Sequence, residues 1–169
     1  MRTFYLDTSV FGGKFDEEFA FWTDKFFDRV FQTDIILLYS DVIDDELSSA
    51  PDDVTSFVNS IPDNMLQYVN LDEEAVKLAK NYIAENVVGP SSMADCFHIA
   101  IATIQKADLL VSWNFKHIVN IERIHGYNSV NLKYGYQTLE IRNPREAFII
   151  IRLAGIVEIV FFNLLIHTR

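Results

Sequence analysis

Short apolar runs of strand length alternate along the chain with longer stretches whose apolar residues recur at helical spacing. Phe4-Tyr5-Leu6 is a β-like run ending at Asp7-Thr8-Ser9, and Gly12-Gly13 then breaks the chain. Between Lys14 and Gln32, apolar residues fall at Phe15, Phe19, Trp22, Phe26, Phe27 and Val30, which predicts an amphipathic helix. Ile35-Ile36-Leu37-Leu38-Tyr39 is continuously apolar, the pattern of a strand covered on both faces of a parallel sheet. A helical segment follows from Ser40 to Leu47 and stops before Pro51. Another runs from Asp52 to Ser60 and stops before Pro62. Met65 to Leu71 reads as a strand. Asp72 opens a helix that reaches Asn86 and is closed by Gly89-Pro90.

Ser91 or Ser92 can cap the next helix, which carries Ala94, Phe97, Ile101 and Ile104 on one side. Asp108 to Ser112 reads as a buried strand, Phe115 to His125 as a helix closed by Gly126, and Gln137 to Ile141 as a last short strand. Strands separated by helices predict an α/β fold with a mainly parallel sheet over residues 1–142.

Residues 143–169 form a separate apolar tail. Asn143-Pro144-Arg145-Glu146 is a helix start, with Asn as cap, Pro in the first turn and Glu at the third position. Fourteen of the twenty residues from Ala147 to Ile166 are Phe, Ile, Leu or Val. Twenty such residues could cross a bilayer core of about 30 Å. Arg152 and Glu158 interrupt them at up to about 3 kcal/mol each near a membrane centre. A helix packed on the domain or on a second copy is therefore favoured, with membrane contact the lesser alternative.

Composition narrows the class. Half of the 169 residues are hydrophobic and 22% are charged, an ordinary globular balance that excludes a disordered tail or a coiled coil. One cysteine, Cys96, excludes an internal disulfide framework and a multi-cysteine zinc site. The first residues lack a long apolar run behind a basic start, so a cytoplasmic setting is expected. With 14 basic against 24 acidic residues, the formal charge is −10, which leaves no diffuse basic face for nucleic acid.

Position gives the acids meaning. In an open parallel sheet, ligands bind beyond the carboxyl ends of the strands. Asp7 follows the first predicted strand there, and Asp41, Asp44, Asp45 and Glu46 follow the second. Ser112 and Asn114 follow the strand at 108–112. Asp95 sits a turn inside the preceding helix, close to the apolar Ile99 and Ala102. Carboxylates brought together repel unless cations neutralise them. Hard oxygen ligands select Mg²⁺ or Mn²⁺, which activate water and stabilise charge on a phosphate.

In order along the chain, four segments resemble the PIN-domain nucleases, the fold of VapC-like toxins of toxin–antitoxin systems. They are Tyr5-Leu6-Asp7-Thr8-Ser9-Val10-Phe11, Ser40-Asp41-Val42-Ile43-Asp44-Asp45-Glu46-Leu47, Ala94-Asp95-Cys96-Phe97-His98-Ile99-Ala100-Ile101-Ala102, and Asp108-Leu109-Leu110-Val111-Ser112-Trp113-Asn114-Phe115-Lys116-His117-Ile118. The resemblance covers residues 3–142. It implies a three-layer α/β/α sandwich and a divalent-metal-dependent endoribonuclease that hydrolyses RNA phosphodiester bonds. By the same resemblance Asp7, Glu46 and Asp95 hold the metal, Thr8 and Ser112 are hydroxyls near it, and Asn114 stands where many relatives carry a fourth acid. An asparagine there would keep a carbonyl ligand and lose a charge. An RNA substrate, an antitoxin protein and a homodimer are the implied partners.

The rival reading is a catalytically weakened PIN-like module that binds RNA or protein. A phosphatase with paired aspartates is disfavoured because Asp7 is followed by Thr8 and Ser9, and a dinucleotide enzyme because there is no G-x-G-x-x-G. Lys14, Lys116 and His117 are read as surface residues that could also offset the acidic field, His98 as a packed or hydrogen-bonded histidine that could share the helix face of Asp95, and Cys96 as a small buried residue.

Overall fold

A computed structural model describes the backbone of residues 2–167 and the side chains of residues 2–155. Five parallel strands form one sheet: β1 (Arg2–Leu6), β2 (Ile35–Ser40), β3 (Leu66–Val69), β4 (Leu109–Val111) and β5 (Ile141–Arg142). Their spatial order is β3-β2-β1-β4-β5. The chain therefore winds from β1 outward to β3, returns across the sheet, and starts again at β4 beside β1. The crevice outside the ends of β1 and β4 is the switch point of such a sheet, where α/β folds bind ligands.

The apolar runs become the central strands. Phe4 and Tyr5 lie opposite Leu37 and Leu38 on one side and Leu109 and Leu110 on the other, and all six are buried. Helices α1 (Thr8–Gly12), α2 (Ala20–Val30), α3 (Asp41–Leu47) and α4 (Asp52–Asn59) occupy the first two crossovers. Helices α5 (Glu73–Ala84), α6 (Met93–Ile104) and α7 (Ile121–Lys133) occupy the next two. Right-handed crossovers put these two groups on opposite faces. α5 packs on α6 and α7, and α1 packs on α4, which fits an α/β/α sandwich.

Helix α8 (Pro144–His167) returns to the first group and packs on α2. The Asn143 side chain accepts from the Glu146 N–H at 3.0 Å, and Glu146 accepts from the Asn143 N–H at 3.3 Å. This reciprocal capping box sets where the helix starts. Ala147 and Ile151 are buried in the core, Trp22 lies against Phe148, and Arg145 sits over the Trp22 ring. The side chains of 156–167, on which the reading of the tail as partner or membrane contact depends, lie outside the described residues. Among the described residues, no helix is long and apolar enough to cross a membrane.

Some boundaries differ from the sequence expectation. The chain turns straight from β1 into α1, and the helix expected from Lys14 begins only at Ala20. The strand expected over 137–141 is confined to Ile141–Arg142. Gly126 does not end a helix but lies inside α7. A Cβ there would sit 2.7 Å from Val87 Cγ1, so the glycine serves close packing rather than termination.

Candidate metal centre at the strand ends

Asp7 leaves β1 at the switch point, and its N–H donates to the Val111 carbonyl of β4 at 3.0 Å. The side chain is buried. Its Oδ2 accepts from Ser112 Oγ at 2.7 Å and from Ser9 Oγ at 2.5 Å. Two hydroxyl donors on one oxygen fix the rotamer and leave Oδ1 turned toward the cleft.

Glu46 arrives on α3, whose start is fixed by Ser40: its Oγ accepts from the Ile43 N–H. The structure sorts the acidic run here. Asp41 accepts from the Leu71 N–H and Asp44 from the Tyr39 hydroxyl, so both serve the scaffold. Glu46 alone of these three turns inward, where the Thr8 hydroxyl donates to its Oε2. Burial works against the Glu46 carboxylate. Hydrogen bonds from His98 and Thr8, with the charge of His98, outweigh it and hold its pKa below the usual value.

His98 occupies the floor of this group. It is read from the sequence as a packed or hydrogen-bonded histidine, and it is both, at 1% exposure with partners on each ring nitrogen. Nδ1 lies 2.8 Å from the Tyr5 hydroxyl, which lies 2.7 Å from Ser40 Oγ. Nε2 lies 3.2 Å from each Glu46 oxygen and 3.6 Å from Asp7 Oδ1. One donor atom from each of Asp7, Glu46 and His98 falls within 4.8 Å of the others. The sequence signal for this was the three-residue spacing from Asp95, which puts His98 near one helix face with it. That spacing does not show the contact with Glu46, 52 positions away.

Asp95 stands in the first turn of α6. Burial and the charges of Asp7 and Glu46 push its pKa up, against the pull of His117 and His98, so it shares the field of the cluster. Its Oδ1 accepts from Asn114 Nδ2 at 2.7 Å. The Asn114 carbonyl oxygen accepts from the His117 N–H at 3.0 Å. This pair of partners fixes the amide orientation, because a backbone N–H needs the oxygen and a carboxylate needs the nitrogen. The expected carbonyl ligand is therefore turned away: Asn114 tethers Asp95 instead. Ser112 ties this segment to Asp7, its Oγ also accepting from the Asn114 N–H at 2.9 Å.

The flanking cations divide. Lys14 pairs with Asp24 and lies over the Phe57 ring, so its charge is already engaged. His117 acts on Asp95 electrostatically, and its buried Nδ1 has no hydrogen-bond partner among the described residues. Behind the loop, Trp113 stacks on Phe19 with centroids 4.6 Å apart and donates from Nε1 to Thr23 Oγ1 at 2.9 Å. Gly13 admits that ring, since a Cβ there would lie 2.6 Å from Trp113 Cδ1.

The donor set suits a small divalent cation. It offers carboxylate oxygens and one imidazole, with hydroxyls already holding the rear oxygen of Asp7. Mg²⁺ takes ligands at about 2.0–2.1 Å in octahedral array, which places right-angled donors about 3 Å apart. The observed 3.2 and 3.6 Å separations are close to that.

Neither a protein-family model nor a curated protein matches the chain by sequence. Solved structures do match by shape. A chain of the DNA-bound VapBC complex from Salmonella typhimurium aligns over 85% of this chain and 99% of its own, at 17% identity and a TM-score of 0.51. A chain of VapBC2 from Rickettsia felis, bound to a DNA fragment from its promoter, aligns over 83% and 98%, at 12% identity and a TM-score of 0.52. The likeness is one of fold, and it agrees with the PIN-like sandwich that the sequence resemblance implies.

Proposed function

We propose that this chain is a divalent-metal-dependent endoribonuclease that hydrolyses RNA phosphodiester bonds, acting as the toxin of a type II toxin–antitoxin pair. The observation that carries this reading is the meeting of Asp7, Glu46 and His98, whose charges reach Asp95, at the switch point of a VapBC-like fold. Asp7, Glu46 and Asp95 would hold Mg²⁺ or Mn²⁺. The cation, when bound, supplies Lewis-acid activation of a water and stabilisation of charge on the phosphate.

The protein's own part is positioning. Ser9 and Ser112 hold the Asp7 rotamer, Thr8 holds Glu46, and Asn114 holds Asp95. Burial of Asp7 and His98 keeps bulk water from the rear of the cluster. Neighbours drawn from VapBC complexes support an antitoxin partner. The homodimer and the cytoplasmic setting rest on the sequence reading alone.

The purified protein is expected to cut single-stranded RNA in Mg²⁺ or Mn²⁺, to stop in EDTA, and to resume when excess cation is returned. Cleavage undiminished in EDTA would overturn the reading. The second reading, a binding module with a weakened site, draws on Asn114, which supplies neither a fourth charge nor a free carbonyl oxygen. Retained RNA binding with no cleavage in any divalent cation would favour it.

A further inference from the structure

We infer that His98 Nε2 is itself a ligand of the cation, so that the centre is a mixed nitrogen–oxygen site rather than an all-carboxylate one. This rests on the metal-dependent reading of the same cleft.

The distances favour coordination over hydrogen bonding as the function of this nitrogen. A histidine N–H that donates to a carboxylate normally makes one short, directed bond of about 2.7–2.9 Å. Here Nε2 is equidistant from both Glu46 oxygens at 3.2 Å and points between them, with Asp7 Oδ1 a further neighbour at 3.6 Å. As a hydrogen bond this is long and divided. As the spacing of adjacent donors around one small cation it is ordinary.

The other ring nitrogen is prepared for that role. A coordinating histidine hands its second N–H to a fixed acceptor, which sets tautomer and ring plane. Nδ1 meets the Tyr5 hydroxyl at 2.8 Å, and Tyr5 can accept that proton while donating to Ser40 Oγ at 2.7 Å. The imidazole is fully enclosed and cannot swing away to solvent.

A nitrogen donor changes metal preference. Imidazole suits first-row transition ions, whereas carboxylate and water suit Mg²⁺. The site should therefore select Mn²⁺ over Mg²⁺ more strongly than three carboxylates would.

The test is pulsed electron paramagnetic resonance of the Mn²⁺-loaded full chain, which reads nitrogen bound to the ion independently of any activity. The expected spectrum shows imidazole ¹⁴N modulation that changes when histidine is supplied as ¹⁵N. It should vanish in His98→Asn, which keeps a polar group for Tyr5 but lacks Nε2, and persist in His117→Asn. Mn²⁺ affinity in His98→Asn should drop by about 10–100-fold or more, the range seen for loss of groups supporting a metal. Mg²⁺ affinity should fall less. Where His98→Asn fails to fold, nitrogen modulation in the wild type that persists in His117→Asn supports His98, and its loss in His117→Asn overturns the inference. Bound Mn²⁺ with no nitrogen modulation, or modulation that survives His98→Asn, overturns this inference and leaves the nuclease reading standing. Failure of the wild-type chain to bind Mn²⁺ at all overturns both.

Discussion

Asn114 takes its meaning from two hydrogen bonds that divide one side chain between a carboxylate and a backbone N–H. Asn114→Asp would set a second carboxylate against Asp95. In EDTA this variant should lose about 1.5–3 kcal/mol, the range for a hydrogen bond to a charged group. Mn²⁺ should then raise its Tm more than it raises that of the wild type, because the cation neutralises the added charge. Equal Tm shifts in thermal melts would contradict the tether. Cys96 lies one position from Asp95 yet is wholly buried, and burial first, with the Asp95 charge second, raises its thiol pKa to about 12. Only the thiolate reacts, and its fraction at pH 8 is then about one part in ten thousand. Native protein should resist a thiol reagent at pH 8 and react fully in denaturant. Asp7 is legible as a site candidate because it directly follows a readable apolar strand, whereas Glu46 is one of four acids after the second strand and is singled out only by the family resemblance. His98 is not legible as one, because its partners Tyr5 and Glu46 come from other elements, and periodicity carries no information about which side chain meets it across the sheet.

Elements with a strong period were readable, and those set by close packing were not. The continuous run at 35–39 is β2, and the Asp72 cap starts α5, its side chain accepting from the Ala75 N–H at 2.8 Å. Gly126 misleads because glycine usually closes a helix, whereas here it lets α7 approach Val87. Gly126→Ala should therefore destabilise the protein by about 1–3 kcal/mol through overpacking, although alanine is the better helix former. A chemical-denaturation midpoint at or above that of the wild type would show that the approach is looser than the 2.7 Å contact requires. The early helix was misplaced for a similar reason. Phe15 and Phe19 sit at helical spacing with Trp22, but Phe19 is held outside α2 by its stack on Trp113, a contact 94 positions away.

At the scale of the whole molecule, the sheet order explains how a chain of net charge −10 could act on a polyanion. Opposed winding brings acids from separate segments to one crevice, where a bound cation would reverse the local sign. The rest of the surface still repels RNA at long range. Salt shortens the Debye length from about 30 Å at 0.01 M to about 10 Å at 0.1 M. KM for a long RNA should therefore fall over that interval at fixed Mn²⁺, opposite to the salt response of basic nucleic-acid binders. A KM that rises would point to a basic track that overrides the net charge.

Whether this carboxylate cluster carries out metal-dependent RNA cleavage is decided by the initial rate in Mn²⁺ of the wild type beside Asp95→Asn, at equal folded content. The substitution removes a charge that the cluster's field reaches and keeps the side-chain volume. The expected result is a wild-type rate that EDTA abolishes and a loss of at least about a hundredfold in the variant, the scale of one electrostatic contributor to catalysis. Equal rates for the two proteins would contradict it.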